Sequence, residues 1–199
     1  MRTEKQGRYT RVTIEPGEYF SCGNATVIST LLGSCVAACL YDPIRKIIGM
    51  NHFMLSSPRY SQEIPIYASE AGRYGINAME LLINDMMLKG AERRSLRAKV
   101  FGGASIFKKA ESVDNFLCVG QVNSRFIKAF LANEGIPLEA ENLLGEHGRV
   151  IHFSNGDFSV YQRKIGLIRS HKLAMRDHEC WQRAIRIQET TLPEVELWL

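Results

Sequence analysis

Two side chains in the stretch 25–55 can do chemistry together if the fold brings them close. Cys35 closes the corner Gly33-Ser34-Cys35, and His52 lies inside the apolar run 47–55. A free thiol has a pKa of about 8.5, so little of it is thiolate at neutral pH. An imidazole within hydrogen-bond reach can take the thiol proton and later deliver it to a leaving group. Gly33 permits a tight turn, which would keep the N–H groups beside Cys35 out of strand pairing. Such groups, aimed at a developing oxyanion, are each worth roughly 10²–10³ in rate. Ser29 and Thr30 end the preceding run with hydroxyls that can orient an imidazole. Successive strand residues face opposite sides, so one of the two is expected to face His52. A plain structural role also fits these residues. Cysteine is among the most buried residue types and packs as a small hydrophobe. The run 47–55 is apolar on both faces, so His52 also fits as a satisfied core histidine.

The elements that must position these groups follow from pattern. Runs 26–32, 36–41 and 47–55 read as strands, with Asp42-Pro43 turning the chain between the last two. Residues 1–9 are polar and read as a frayed end, and 11–14 alternates as a short strand before a Pro16-Gly17 turn. The segment 56–65 is a polar loop, and 66–88 reads as a helix with Gly90 past its end. Gly72 and Gly75 lower helix propensity there and point to close packing of the first turns on the sheet. A strand over 97–101 ends at Gly102-Gly103, a pair that marks a tight backbone or a close approach. Beyond it come an amphipathic helix over 122–134, a short strand over 138–142, and a hairpin of 149–153 and 158–163 around Asn155-Gly156. His147 and His152 are alternative bases in this region, without the nucleophile-linked context of His52. In the last segment, 173–188 has helical periodicity, Pro193 breaks it, and the apolar end 195–199 is expected to pack on the domain.

The run Thr30-Leu31-Leu32-Gly33-Ser34-Cys35-Val36-Ala37-Ala38-Cys39-Leu40-Tyr41-Asp42, followed by Gly49-Met50-Asn51-His52-Phe53-Met54-Leu55, resembles the signature of the CheD family. These are the chemoreceptor glutamine deamidases of bacterial and archaeal chemotaxis. Arg73-Tyr74-Gly75 with Ala78-Met79, then Lys99-Val100-Phe101-Gly102-Gly103-Ala104, then Gly135-Ile136-Pro137 with Gly148-Arg149 fit it in order, so the likeness spans about 10–165. The resemblance implies hydrolysis of selected receptor glutamines to glutamate with release of ammonia, and in some members cleavage of receptor methyl esters. It implies Cys35 as nucleophile, His52 as its base, and a threonine shortly before the cysteine as the third catalytic residue. A gapless match puts that role on Ser29, while Thr30 is the nearest threonine. It implies no cofactor. It implies an α+β fold of sandwich-like β-sheets flanked by helices, similar to cytotoxic necrotising factor-type cysteine deamidases. The deamidase domain would be 1–165, with 166–199 a helical C-terminal extension packed on it. The implied partners are the cytoplasmic helices of chemoreceptors and a CheC-type phosphatase.

Composition narrows the alternatives. The chain has 199 residues, 45% hydrophobic and 23% charged, which suits one globular domain with a sizeable core. The net charge of +4 is spread out apart from Arg93, Arg94, Arg97 and Lys99, so nucleic-acid binding is not expected. No run is long and apolar enough to span a bilayer, and the polar start lacks a signal-peptide core. A cytoplasmic protein without membrane insertion is expected. The five cysteines have no framework spacing and should be free thiols in a reducing compartment. His171, His178 and Cys180 lack paired ligand spacing, so no metal is expected. Two other functions stand beside the deamidase. One is a non-catalytic receptor-array adaptor or regulator acting with a CheC-type phosphatase. The other is a thiol protease, which the resemblance disfavours.

Overall fold

The computed structural model describes residues 1–7, 9–55, 70–105 and 119–191. They form two mixed five-stranded sheets and three α-helices, an α+β architecture. The first sheet runs β1 (Arg2–Gln6), β2 (Tyr9–Thr13), β4 (Thr26–Leu32), β9 (Arg149–Ser154) and β10 (Val160–Lys164). Within it β2 and β4 are parallel and the other neighbours antiparallel. The second runs β3 (Tyr19–Cys22), β6 (Ile47–Asn51), β5 (Val36–Asp42), β7 (Arg97–Gly102) and β8 (Leu138–Leu143). There β7 and β8 are parallel, joined by a crossover that contains α2 (Val119–Asn133). The remaining helices are α1 (Glu70–Leu88) and α3 (Leu167–Thr191).

The central strand β5 reads VAACLYD and is buried along its whole length. Small and apolar side chains on both of its faces let one layer pack on each. Its even-numbered residues Val36, Ala38 and Leu40 join Phe53, Leu55, Met79, Leu82, Met86, Phe126 and Phe130 in a core under α1 and α2. Its odd-numbered residues Ala37 and Cys39, with Cys35 just before the strand, join Ile28, Leu32, Ile151 and Phe153 of the first sheet in a second core, closed by Trp181 and Ile185 of α3. The strand pair therefore divides the molecule into a helix-covered core and a core between sheets.

The residues read as a frayed start instead form β1, paired antiparallel with β2 from Arg2↔Thr13 to Gln6↔Tyr9. An edge strand is held by its ladder hydrogen bonds, so it needs no apolar alternation to form. Helix α1 begins at Glu70 in the described chain, and the reading of a polar loop over 56–65 lies outside the described residues, as does the end 195–199. A Cβ on Gly75 would sit 2.5 Å from Phe126 Cζ and 2.8 Å from Leu55, so the glycine serves the approach of α1 to α2 as well as to the sheet side. The β9–β10 hairpin forms with Val160 opposite Phe153, which gives a longer loop than Asn155-Gly156 alone implied. Phe158, read as strand, takes φ 58° and stacks on Tyr41.

Candidate active site

Cys35 sits just before β5, at the corner that the sequence marks with Gly33 and Ser34. The ladder of β5 and β6 continues past Asn51 through a bridge between Val36 and Phe53. Extending that register puts Cys35 opposite Met54 and His52 opposite Ala37. Cys35 and His52 are thus diagonal neighbours on one face, a relation with a typical Cα spacing of about 7–8 Å that long side chains bridge. The His52 backbone is pinned by two bonds to the segment just before β3. Its carbonyl accepts from Gly17 N–H at 2.7 Å and its N–H donates to the Glu18 carbonyl at 3.0 Å.

Thr30 reaches this face from the first sheet. Its Oγ1 lies 2.8 Å from His52 Nδ1 and donates to the Ile14 carbonyl at 2.7 Å. A hydroxyl has one hydrogen, so giving it to Ile14 leaves the oxygen to accept from Nδ1–H. That fixes the neutral tautomer with the lone pair on Nε2. Nε2 is buried and has no hydrogen-bond partner among the described residues. Ser29 points to the opposite side of β4, where its Oγ is 2.8 Å from Nδ1 of His152, its cross-strand neighbour on β9. The structure therefore brings Thr30, not Ser29, to His52. It also gives His152 a hydroxyl partner on the far face of the sheet from Cys35. His147 lies in the connection between β8 and β9.

The corner that carries Cys35 is clamped. Gly103 N–H donates to the Cys35 carbonyl at 2.7 Å, Ala104 N–H to the Gly33 carbonyl at 2.8 Å, and Asn123 Nδ2 to the Ser34 carbonyl at 2.8 Å. The close approach expected of Gly102-Gly103 is against this corner. Gly102 takes φ 118°, and a Cβ there would stand 2.2 Å from the Cys35 carbonyl oxygen. Asp177 of α3 closes the corner from the other side. Its Oδ2 accepts from Ser34 N–H at 3.0 Å and from Ser34 Oγ at 3.1 Å, while Oδ1 accepts from Arg176 at 3.1 Å. One of the N–H groups expected to be free beside the nucleophile is therefore occupied. Asp177 was not among the residues that sequence reasoning singled out. Its signal is a carboxylate at a core position of a helical stripe, between the buried Leu173, Trp181 and Ile185.

Burial sets the electrostatics. Cys35 is 0% exposed, His52 1% and Thr30 2%. Loss of solvent pushes the Cys35 thiol well above its ordinary range, the Asp177 carboxylate pushes it the same way, and the Arg176 charge opposes them. Burial lowers the His52 pKa to about 3, with the Arg176 charge acting alike and the Ile14 carbonyl opposing. Burial raises the Asp177 carboxyl against the pull of Arg176 and Ser34. At neutral pH the pair rests as thiol and neutral imidazole rather than as an ion pair.

Cys22, Cys35, Cys39 and Cys180 are free. Among the described residues, no three His, Cys, Asp or Glu side chains are arranged to hold a metal ion. No helix among them is long and apolar enough to cross a membrane. A thiol, an imidazole with a free lone pair and a hydroxyl bonded to its other nitrogen are groups of the kind that nucleophilic acyl transfer uses.

Comparison with known proteins gives the particular family. Residues 54–164 match the family model for CheD, described as CheD chemotactic sensory transduction. The chain is 54% identical to the probable chemoreceptor glutamine deamidase CheD 1 of Geobacter sulfurreducens over 194 residues, covering 98% of this chain and 96% of that one. It is 46% identical to the probable chemoreceptor glutamine deamidase CheD 2 of Shewanella oneidensis over 157 residues, covering 78% and 77%. The chain belongs to the CheD family. The solved structure of the Bacillus licheniformis hypothetical protein YfiH aligns with 62% of this chain and 49% of its own at 16% identity, with a TM-score of 0.35, a likeness too slight to bear on the fold.

Proposed function

We propose that this protein hydrolyses selected chemoreceptor glutamine side chains to glutamate. Its relatives from Geobacter sulfurreducens and Shewanella oneidensis carry that activity in their names. The family match begins two residues beyond His52, so the roles of Cys35 and His52 rest on geometry and on the resemblance around them. The observation that carries the mechanism is the bond from His52 Nδ1–H to Thr30 Oγ1, which leaves Nε2 as a base on the face shared with Cys35.

Nε2 takes the thiol proton as Sγ attacks the amide carbon. The imidazolium gives that proton to the departing nitrogen, and ammonia leaves a thioester. Nε2 then takes a proton from water, the hydroxide adds to the thioester, and collapse returns the proton to Sγ and releases the glutamate. Thr30 orients His52 throughout, and Ser29 serves His152 instead. No step calls for a cofactor. Cleavage of a receptor methyl ester follows the same path with methanol as leaving group. The domain 1–165 holds these groups in an α+β fold of the cytotoxic necrotising factor deamidase type, and 166–199 is a helical extension packed on it. The protein works in the cytoplasm, on receptor cytoplasmic helices and with a CheC-type phosphatase.

The test is peptide mass spectrometry of a chemoreceptor cytoplasmic fragment incubated with the protein or with Cys35→Ala. Amide-to-acid conversion at defined glutamines by the native protein alone is expected. Conversion by both removes Cys35 from the mechanism. The complete burial of Cys35 and His52 favours a second reading, a non-catalytic adaptor in a receptor array. Receptor binding by both forms with conversion by neither would establish it.

A further inference from the structure

A nucleophile has to be met by its substrate, yet Cys35 and His52 are sealed. The seal is α3. The buried residues Leu173, Asp177, Trp181 and Ile185 recur every four positions and so form one stripe along the helix. Trp181 and Ile185 pack in the same core as Cys35, Ala37, Cys39 and Met54. Three of these four side chains are apolar. The fourth is a carboxylate, fully buried, whose Oδ2 takes both the backbone N–H and the hydroxyl of Ser34, the residue next to the nucleophile.

A carboxylate on an apolar helix stripe is costly to bury without partners. Here the partners are a backbone N–H and a hydroxyl next to the thiol, donors of the kind that can hold the carbonyl oxygen of a substrate. Asp177 presents to Ser34 N–H what the side chain of a glutamine would present, an sp² oxygen at the end of a short stem on a helix. It is one methylene shorter than glutamine and carries no amide nitrogen to lose. Its negative charge also works against thiolate formation at Cys35.

We propose that α3 occupies the seat of the substrate helix, as a built-in pseudosubstrate, and that the groove under its Leu173–Asp177–Trp181–Ile185 stripe receives a receptor helix presenting a glutamine side chain in place of Asp177. This rests on the deamidase reading above. Displacement of α3 then does three things. It opens the α3 side of the face that carries Cys35, frees Ser34 N–H for the substrate oxygen, and removes a carboxylate whose charge works against the thiolate. The substrate class follows: a helix with apolar residues four positions to either side of the target glutamine, matching the stripe it replaces.

The test uses the full chain and two readouts. The first is the rate of iodoacetamide alkylation of Cys35, followed by peptide mass spectrometry with Cys39 as a buried reference. The second is conversion of a receptor fragment. Asp177→Ala, and Asp177→Ala with Trp181→Ala, are expected to raise Cys35 alkylation by about tenfold or more, the scale set by loss of charged hydrogen bonds, and to raise conversion with it. Circular dichroism confirms that the sheets remain. A third variant, Asp177→Gln, places a substrate side chain in the seat. It is expected to become glutamate in cis, through Cys35 attack, ammonia loss and hydrolysis by water, and to stay glutamine when Cys35→Ala is added. Cys35 alkylation unchanged in the folded double variant overturns the proposal. Raised alkylation with conversion of the receptor fragment but none at position 177 of Asp177→Gln upholds α3 as the cover and the deamidase reading but overturns its role as pseudosubstrate, whereas conversion of neither overturns the deamidase reading as well.

Discussion

On one side of β5 and β6, Val36, Ala38, Leu40, Phe53 and Leu55 meet α1 and α2. On the other, Cys35, Ala37, Cys39, His52 and Met54 meet the first sheet and α3. The same two strands supply both faces by simple alternation. The helix-covered face buries three phenylalanines and a run of methionines and leucines, and its polar members are fully used. Asn51 bonds the Ala38 N–H and the Ala78 carbonyl, and Asn123 bonds Leu55 N–H and the Ser34 carbonyl. The face between the sheets holds a thiol, an imidazole with an unpartnered nitrogen and a carboxylate, all out of water. The first arrangement supplies stability. The second carries buried polar groups, among them a nitrogen without a hydrogen-bond partner, an arrangement that costs free energy and that the proposed chemistry would use.

Variants on the two faces should separate these roles. His52→Ala is expected to lower turnover on a receptor fragment by about 10²–10⁴ with the fold kept, as for loss of a general base. Near-normal turnover would return His52 to the ranks of core histidines. Phe126→Ala, on the opposite face, is expected to cost about 3–5 kcal/mol of stability in urea titration while turnover per folded molecule stays level. A large loss of turnover without loss of stability there would erase the division. Thr30→Val removes the acceptor for His52 Nδ1–H and should lower kcat about tenfold with little change in KM. Thr30→Ser should recover most of it, because the hydroxyl rather than the methyl orients the ring.

The most gradual effect is on acid stability, where it is spread over several pH units. His52 titrates near 3 when folded and near its ordinary 6.5 when unfolded. Below about pH 6.5 the unfolded chain takes up a proton that the folded one refuses, so stability is full above that pH and falls toward pH 3, by at most about 1.4 kcal/mol per pH unit for this one group. His152, also lowered by burial and by the charges of Arg11 and Arg163, adds to the same limb. His52→Gln should make the limb shallower in urea titrations across that range, and an unchanged slope would mean that His52 is hydrated.

How much of this was legible in the sequence differs between the same two regions. The strand after Cys35, its glycine corner and the strand before His52 are contiguous in sequence and strongly patterned, so the placement of both residues on one strand pair was readable from local rules. The choice between Ser29 and Thr30 was not, because it depends on which face of β4 turns toward the second sheet, and neither hydroxyl breaks the pattern of its run. β1 was missed because its residues are polar and mostly exposed, and only its ladder with β2 holds it. Asp177 was missed because an acid on an amphipathic helix ordinarily faces water. Only its place in the stripe with Leu173, Trp181 and Ile185 marks it as buried.

The Ser34–Asp177 bond also has a consequence in time. Its partners are 143 residues apart, whereas Thr30 and His52 are 22 apart. At a synthesis rate of about 5–20 residues per second, roughly 7–30 s pass between the emergence of the corner and that of its cover. The ribosome-bound chain thus carries its thiol before the tail exists to cap it. Oxidation or alkylation in the cell would strike the newborn molecule before the finished one, and α3 would act first as a guard on a nascent chain and only later as an occupant to be displaced.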